Sequence, residues 1–187
     1  MTDFIIITTQ RSGSNMLASA LNSHPRLQCL GEPGRKTTPL EPTRGDVRGM
    51  INMCSMWERS GKLIHAERYI HLMRNPHDTA LSDLAMQHGY GHHYTEPVDR
   101  VCHILTDNLE TEKARVESDH RYIDGVMLGG GYDALIVNYE DLVRDSVSMT
   151  HIPESEGRRI TEFLGVNYAP MTTKLVKPGT VYVTKED

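Results

Sequence analysis

The sequence of 187 residues predicts a single α/β domain with a mainly parallel central sheet flanked by helices. Three observations lead there. Four short apolar runs read as strands covered on both faces, helical patterns lie between them, and the first and third runs each end in an arginine-bearing turn that opens a helix. Alternation of this kind favours parallel strands joined by crossover helices.

Phe4 to Thr8 is a run of aromatic and β-branched residues and forms the first strand. Met16, Leu17, Ala20 and Leu21 then share one face of a helix that His24-Pro25 stops. Leu27 to Leu30 is a short, mixed strand. Gly34 to Ser60 is rich in Gly, Pro, Thr and Arg and reads as loop with one helix around Val47 to Trp57. Tyr69 to Met73 is the third strand. Asn75-Pro76-His77-Asp78 then supplies an N-cap residue, a first-position proline and an early acid ahead of Leu81, Leu84 and Ala85, which marks a helix start. A further helix is expected over much of Val98 to Glu117, a strand over Ala134 to Asn138, and a helix near Glu156 to Leu164 with Gly165 as its stop. The polar tail from about residue 172 reads as an edge strand or a flexible end.

The balance of 20 Lys+Arg against 25 Asp+Glu gives a formal charge of −5, so nothing in the totals points to nucleic acid or an anionic membrane. Any anion site is therefore local. No run is long and apolar enough for a membrane span, and Met1-Thr2-Asp3 leads into a strand without a secretory pattern, so a cytoplasmic protein is expected. Cys29, Cys54 and Cys102 are odd in number and scattered, which suits reduced packing thiols. "HGYGHHY" (His88 to Tyr94) lacks the Cys pair or HExxH spacing of a metal site, and its glycines suggest a solvated or substrate-facing loop; no metal is expected.

"QRSGSN" sits between the first strand and its helix, where backbone N–H groups lack partners and share the positive end of the helix dipole. Such a turn binds an anion. Gly13 allows close backbone approach, Ser12, Ser14 and Asn15 add short donors, and Arg11 adds charge. The Walker pattern needs a second glycine and a lysine that this turn does not have, which demotes an ATPase or a nucleotide or small-molecule kinase. In "YIHLMRNPHDTALS", Arg74 ends a strand and Ser82 falls on the second turn of the following helix, on the side of the strand end. An arginine and a hydroxyl converging in this way grip a second phosphate.

Together the two segments resemble the sulfotransferases that use 3′-phosphoadenosine 5′-phosphosulfate, whose sheet is like that of the P-loop NTPases. In that family [Arg/Lys]-Ser-Gly-[Ser/Thr]-[Thr/Asn] binds the 5′-phosphosulfate, matched here by Arg11-Ser12-Gly13-Ser14-Asn15. A later Arg-[Asp/Asn]-Pro-(x)5-Ser binds the 3′-phosphate, matched by Arg74-Asn75-Pro76 and Ser82. "NSHPRLQCLGE" is similar to a stretch of the tyrosylprotein and carbohydrate sulfotransferases, and "LIVNYEDLVRD" and "ITEFLGV" are similar to the family's Tyr-Glu-Asp-Leu strand end and Phe-Leu-Gly helix.

The resemblance implies an enzyme whose co-substrate is 3′-phosphoadenosine 5′-phosphosulfate, with Arg11 on the leaving phosphate and Glu32 as general base. It also implies Tyr139 near the nucleotide. Relatives that act on small molecules use a histidine as base, which makes His65 the competitor of Glu32; His71, inside an apolar strand, reads as a core residue. Lys174 and Lys177 stand where the family has late basic residues, without its usual Arg-Lys-Gly form. The segment between Pro33 and Lys62 is shorter than most relatives' substrate-binding insertions. It fits a small-molecule or carbohydrate acceptor in an open cleft, a peptide acceptor, a homodimer that completes the site, or a degenerate member that binds nucleotide without transfer.

Overall fold

The computed structural model describes residues 2–31, 47–53, 65–87, 101–105, 108–143, 151–173 and 181–185, the backbone alone in 101–105 and 181–185. Five parallel strands form one sheet in the order β2-β3-β1-β4-β6, with β1 Phe4–Thr8, β2 Leu27–Leu30, β3 Val47–Met53, β4 Arg68–Met73 and β6 Ala134–Asn138. A separate parallel pair joins β5 Val101–Leu105 to β7 Val181–Lys185. The helices are α1 Ser14–Ser23, α2 Pro76–Gln87, α3 Leu109–Gly129, α4 Tyr139–Val143 and α5 Glu154–Phe163.

β1 is central because both of its faces are apolar: Phe4, Ile5, Ile6 and Ile7 are all 0% exposed. Phe4 and Ile6 meet Met16, Leu17, Ala20 and Leu21 of α1 together with Ile160 of α5, whereas Ile5 and Ile7 meet Ile123 and Met127 of α3. The two-residue side-chain alternation of a strand thus divides the core into two layers. α2 packs Ala80, Leu81, Leu84 and Ala85 against Leu109 at the start of α3.

Local signals set several boundaries. Asn75 Oδ1 accepts the His77 N–H at 2.9 Å and caps α2. α5 stops where Gly165 turns left-handed (φ 72°) and the Val166 N–H reaches the Thr161 carbonyl at 2.9 Å. α1 ends at His24, whose Nδ1 accepts the Arg26 N–H at 3.1 Å, leaving Nε2–H to donate to the Asn167 carbonyl at 3.0 Å. Asn22 then pins the edge strand β2, bonding both the N–H and the carbonyl of Cys29 at 2.7 and 2.9 Å.

Two expectations are corrected. Residues 47–53, read as loop with a helix, are strand β3, paired with both β1 and β2. Gly49 lies directly across from Phe4, whose ring occupies the space of its missing Cβ: a Cβ there would come within 2.1 Å of Phe4 Cζ. A glycine that signals loop in sequence is here a point of close approach. Residues 101–105, read as helix, are strand β5; the helix begins at Leu109 and runs on to Gly129. The partner that makes residues 101–105 a strand is β7, far along the chain.

Candidate functional site

β1 and β4 are neighbours, with Thr8 in register with Leu72, so the turns that follow them emerge side by side. The chain leaves β1 towards β2 on one side, and after β4 its next strand in this sheet is β6 on the other. Ligand crevices of parallel α/β sheets open at such a switch point, outside the carboxyl ends of the strands.

The first turn is tightly fixed. Thr8 Oγ1 donates to the Leu72 carbonyl at 2.8 Å, tying β1 to β4, and the hydroxyl of Ser12 is 0% exposed, contacting Thr8 Oγ1 and donating to the Thr9 carbonyl. Ser12 therefore turns its side chain inward, where it ties the turn to the end of β1. Arg11 and Gly13 both adopt positive φ, 61° and 90°. For Arg11 this is uncommon backbone, of the kind that functional turns hold under strain. Gly13 begins α1, and the amides of Met16 and Leu17 both bond to its carbonyl at 3.0 and 3.1 Å. The earlier amides, of Ser14 and Asn15, have no intrahelical partner and point out of the helix end. Ser14 is buried and Asn15 exposed.

The second turn closes onto the first. Arg74 Nη1 donates to the Arg11 carbonyl at 2.9 Å, and Arg11 Nε donates to Ser82 Oγ at 3.2 Å, across 71 positions of sequence. Arg11 Nη1 also lies 3.6 Å from Met86 Sδ. Tyr139, the first residue of α4 after β6, sits in the same place. Its ring stacks with the Arg74 guanidinium at 4.8 Å and fills the space beside Gly13, where a Cβ would come within 2.4 Å of Tyr139 Cδ2. Glu140 Oε1 accepts the Asn75 N–H at 2.7 Å and holds α4 to the start of α2. A depression of about 390 Å³ opens alongside, lined in part by Arg74, Asn75, Asn138 and Glu140.

Arg11, Gly13, Arg74, Ser82 and Tyr139 thus meet at one edge. Glu32, Lys174, Lys177, Cys54 and the His88–Tyr94 loop lie outside the described residues. β2, which leads towards Glu32, ends at this same carboxyl edge, two strands from β1. His65 is exposed and precedes the amino end of β4, so the six residues of that strand, about 20 Å, separate it from Arg74. His71 is buried in β4 as a bonded core residue.

Sequence reasoning missed a charged cluster beside this edge. Asp83, next to Ser82 and 5% exposed, meets Arg115 of α3 at 3.3 Å, and Arg115 also binds Glu112 and, at 2.7 Å, Asp119. Burial, reinforced by a hydrogen bond with Glu112, pushes the Asp83 carboxyl above its ordinary range, opposed by Arg115 and Arg11. No local spacing announces a pair that spans two helices. Among the described residues there is no group of three or more His, Cys, Asp or Glu able to hold a metal ion, and no helix long and apolar enough to cross a membrane.

Fold and edge together define an α/β protein whose two arginine-bearing turns meet at the carboxyl edge of neighbouring strands β1 and β4. The fold is that of the sulfotransferases. A sulfotransferase from Alicyclobacillus acidocaldarius aligns over 96% of this chain and 87% of its own, with a TM-score of 0.52 and 16% identity. The mouse sulfotransferase SULT7A1 complexed with PAP aligns over 90% of this chain and 59% of its own, with a TM-score of 0.46 and 18% identity. No protein-family model and no curated protein matches the sequence.

Proposed function

We propose that this protein is a single-domain, cytoplasmic sulfotransferase that moves a sulfuryl group from 3′-phosphoadenosine 5′-phosphosulfate to a hydroxyl or amine acceptor. The observation that carries the reading is the meeting of the two arginine turns, in which Arg74 bonds the Arg11 carbonyl and Arg11 bonds Ser82. One nucleotide with phosphate at two ends matches two adjacent cationic turns better than a triphosphate does, since the first turn lacks the lysine that a triphosphate site uses.

The turn amides of residues 12–15 and the Arg11 side chain receive the 5′-phosphosulfate, Arg74 and Ser82 receive the 3′-phosphate, and Tyr139 stands beside the nucleotide. Arg11 exchanges its present bond to Ser82 for the incoming anion. In the transfer the acceptor oxygen or nitrogen attacks sulfur, the sulfur–oxygen bond to the 5′-phosphate breaks, and the leaving phosphate keeps the electron pair. Glu32 takes the acceptor proton, a role that requires an ionised carboxylate within hydrogen-bond reach. Arginine and amide dipoles stabilise the charge that develops on the leaving oxygen, and no metal is needed in this scheme.

A transfer assay with labelled donor against tyrosine peptides, sugars, phenols and lipid alcohols tests the reading and identifies the acceptor. Glu32→Gln is expected to abolish transfer while leaving the affinity for 3′-phosphoadenosine 5′-phosphate intact. Nucleotide binding by the wild type with no transfer to any acceptor would replace the enzyme by a binding module, and no nucleotide binding would remove both.

A further inference from the structure

Among the described residues, Arg11 is the one residue other than glycine whose backbone is left-handed, at φ 61°. A side chain makes that conformation unfavourable, so contacts from outside the residue have to hold it. Two positions on, Gly13 is left-handed as well, at φ 90°, and the two together give the first turn its shape.

Both left-handed residues are backed by one stacked pair, Arg74 and Tyr139. Arg74 Nη1 donates to the Arg11 carbonyl at 2.9 Å. The Tyr139 ring, whose centroid lies 4.8 Å from the Arg74 guanidinium carbon, fills the side of Gly13 on which a Cβ would stand, 2.4 Å from Tyr139 Cδ2. Arg11 has a second anchor in its side chain, where Nε donates to Ser82 Oγ at 3.2 Å. That anchor is the one released when the Arg11 guanidinium turns to an incoming anion. The bond from Arg74 then remains to hold the Arg11 peptide.

We propose that Arg74 is a positioning residue for the first turn: by binding the Arg11 carbonyl it keeps the left-handed backbone on which the 5′-phosphosulfate site is built, besides gripping the 3′-phosphate with its other donors. The proposal rests on the nucleotide reading above. Its consequence is that the two ends of the nucleotide are not bound independently. A 3′-phosphate that fixes the guanidinium also fixes the first turn, and by linkage an anion in the first turn favours the Arg74 arrangement that receives the 3′-phosphate.

A comparison of Arg11→Ala with Arg11→Gly tests this, because both remove the same charged side chain and differ in the cost of a positive φ. With Arg74 present, the two variants should bind 3′-phosphoadenosine 5′-phosphate within about twofold of each other in calorimetry, since Arg74 holds either backbone. In an Arg74→Ala background, Arg11→Gly should bind roughly five- to tenfold more tightly than Arg11→Ala. Neither comparison depends on the charge of Arg74 or on its contact with the 3′-phosphate, which cancel between the paired variants. Melting temperatures check that each variant folds. Scalar couplings across the Arg11 N–Cα bond supply a readout without nucleotide: they should report a positive φ in the wild type and a negative one in Arg74→Ala. A wild type that binds the nucleotide while φ stays positive in Arg74→Ala, or while Arg11→Ala and Arg11→Gly bind alike in the Arg74→Ala background, overturns this proposal alone. A wild type that fails to bind the nucleotide, or an Arg74→Ala variant that binds as wild type does, overturns the nucleotide reading and the proposal with it.

Discussion

The buried position of His71 makes the stability of the whole protein sensitive to pH. Burial, with His120 adding to it, lowers this ring from an ordinary 6.5 to about 4, even though the Asp124 carboxylate pulls the other way. In the unfolded chain the ring takes a proton as the pH falls below 6.5; in the folded chain it declines the proton until about 4. Its contribution to stability is therefore complete above pH 6.5, falls as the pH drops through the window between the two values, and levels off below 4. Linkage over that window gives a loss of about 2 kcal/mol between pH 7.5 and pH 5. His120, lowered by the same burial, adds to the loss, and the raised Asp83 carboxyl opposes it. Urea unfolding at a series of pH values reads the total, and the same series on His71→Gln isolates the ring, whose removal should flatten the pH dependence by about 2 kcal/mol whatever its effect at pH 7.5. An NMR titration gives the direct check. A ring that titrates above pH 6 in the folded protein, or a His71→Gln series parallel to wild type, would refute the reasoning.

Other outcomes follow from the same geometry. On the proposed reading that Arg74 grips the 3′-phosphate, Arg74→Ala should remove a charge-assisted contact of ~1.5–3 kcal/mol and weaken binding of 3′-phosphoadenosine 5′-phosphate by roughly ten- to a hundredfold in calorimetry. Gly13→Ala forces a Cβ to within 2.4 Å of the Tyr139 ring at φ 90°, so it should cost on the order of 1–3 kcal/mol, lower the melting temperature by several degrees and displace Tyr139. An unchanged melting temperature would show that the turn is not held as described. Asn22→Ala removes both bonds to the Cys29 backbone and should cost ~1–2 kcal/mol, with faster hydrogen exchange at the Cys29 amide as the local sign.

The sequence by itself determined the elements whose cause is local. Phe4 to Thr8 is apolar and β-branched on both faces, Asn75-Pro76 carries its own cap, and Gly165 its own stop; each needs only neighbours within a turn or two to take its form. Both arginine turns were legible for the same reason, because strand, turn and helix are contiguous in the chain. Tertiary structure decided what depends on distant partners. Residues 47–53 became a strand because β1 and β2 accept their backbone and Phe4 covers Gly49, and residues 101–105 did so by pairing with β7. The contacts of the candidate site arise in the same way. The bond from Arg11 to Ser82 joins residues 71 apart, and that from His71 to His120 joins residues 49 apart. The hydrophobic effect that assembles the core is non-directional, so the sequence can declare which faces are buried. Hydrogen bonds are directional and short, so which polar groups meet at the crevice is fixed only once the parallel sheet has set β1 beside β4.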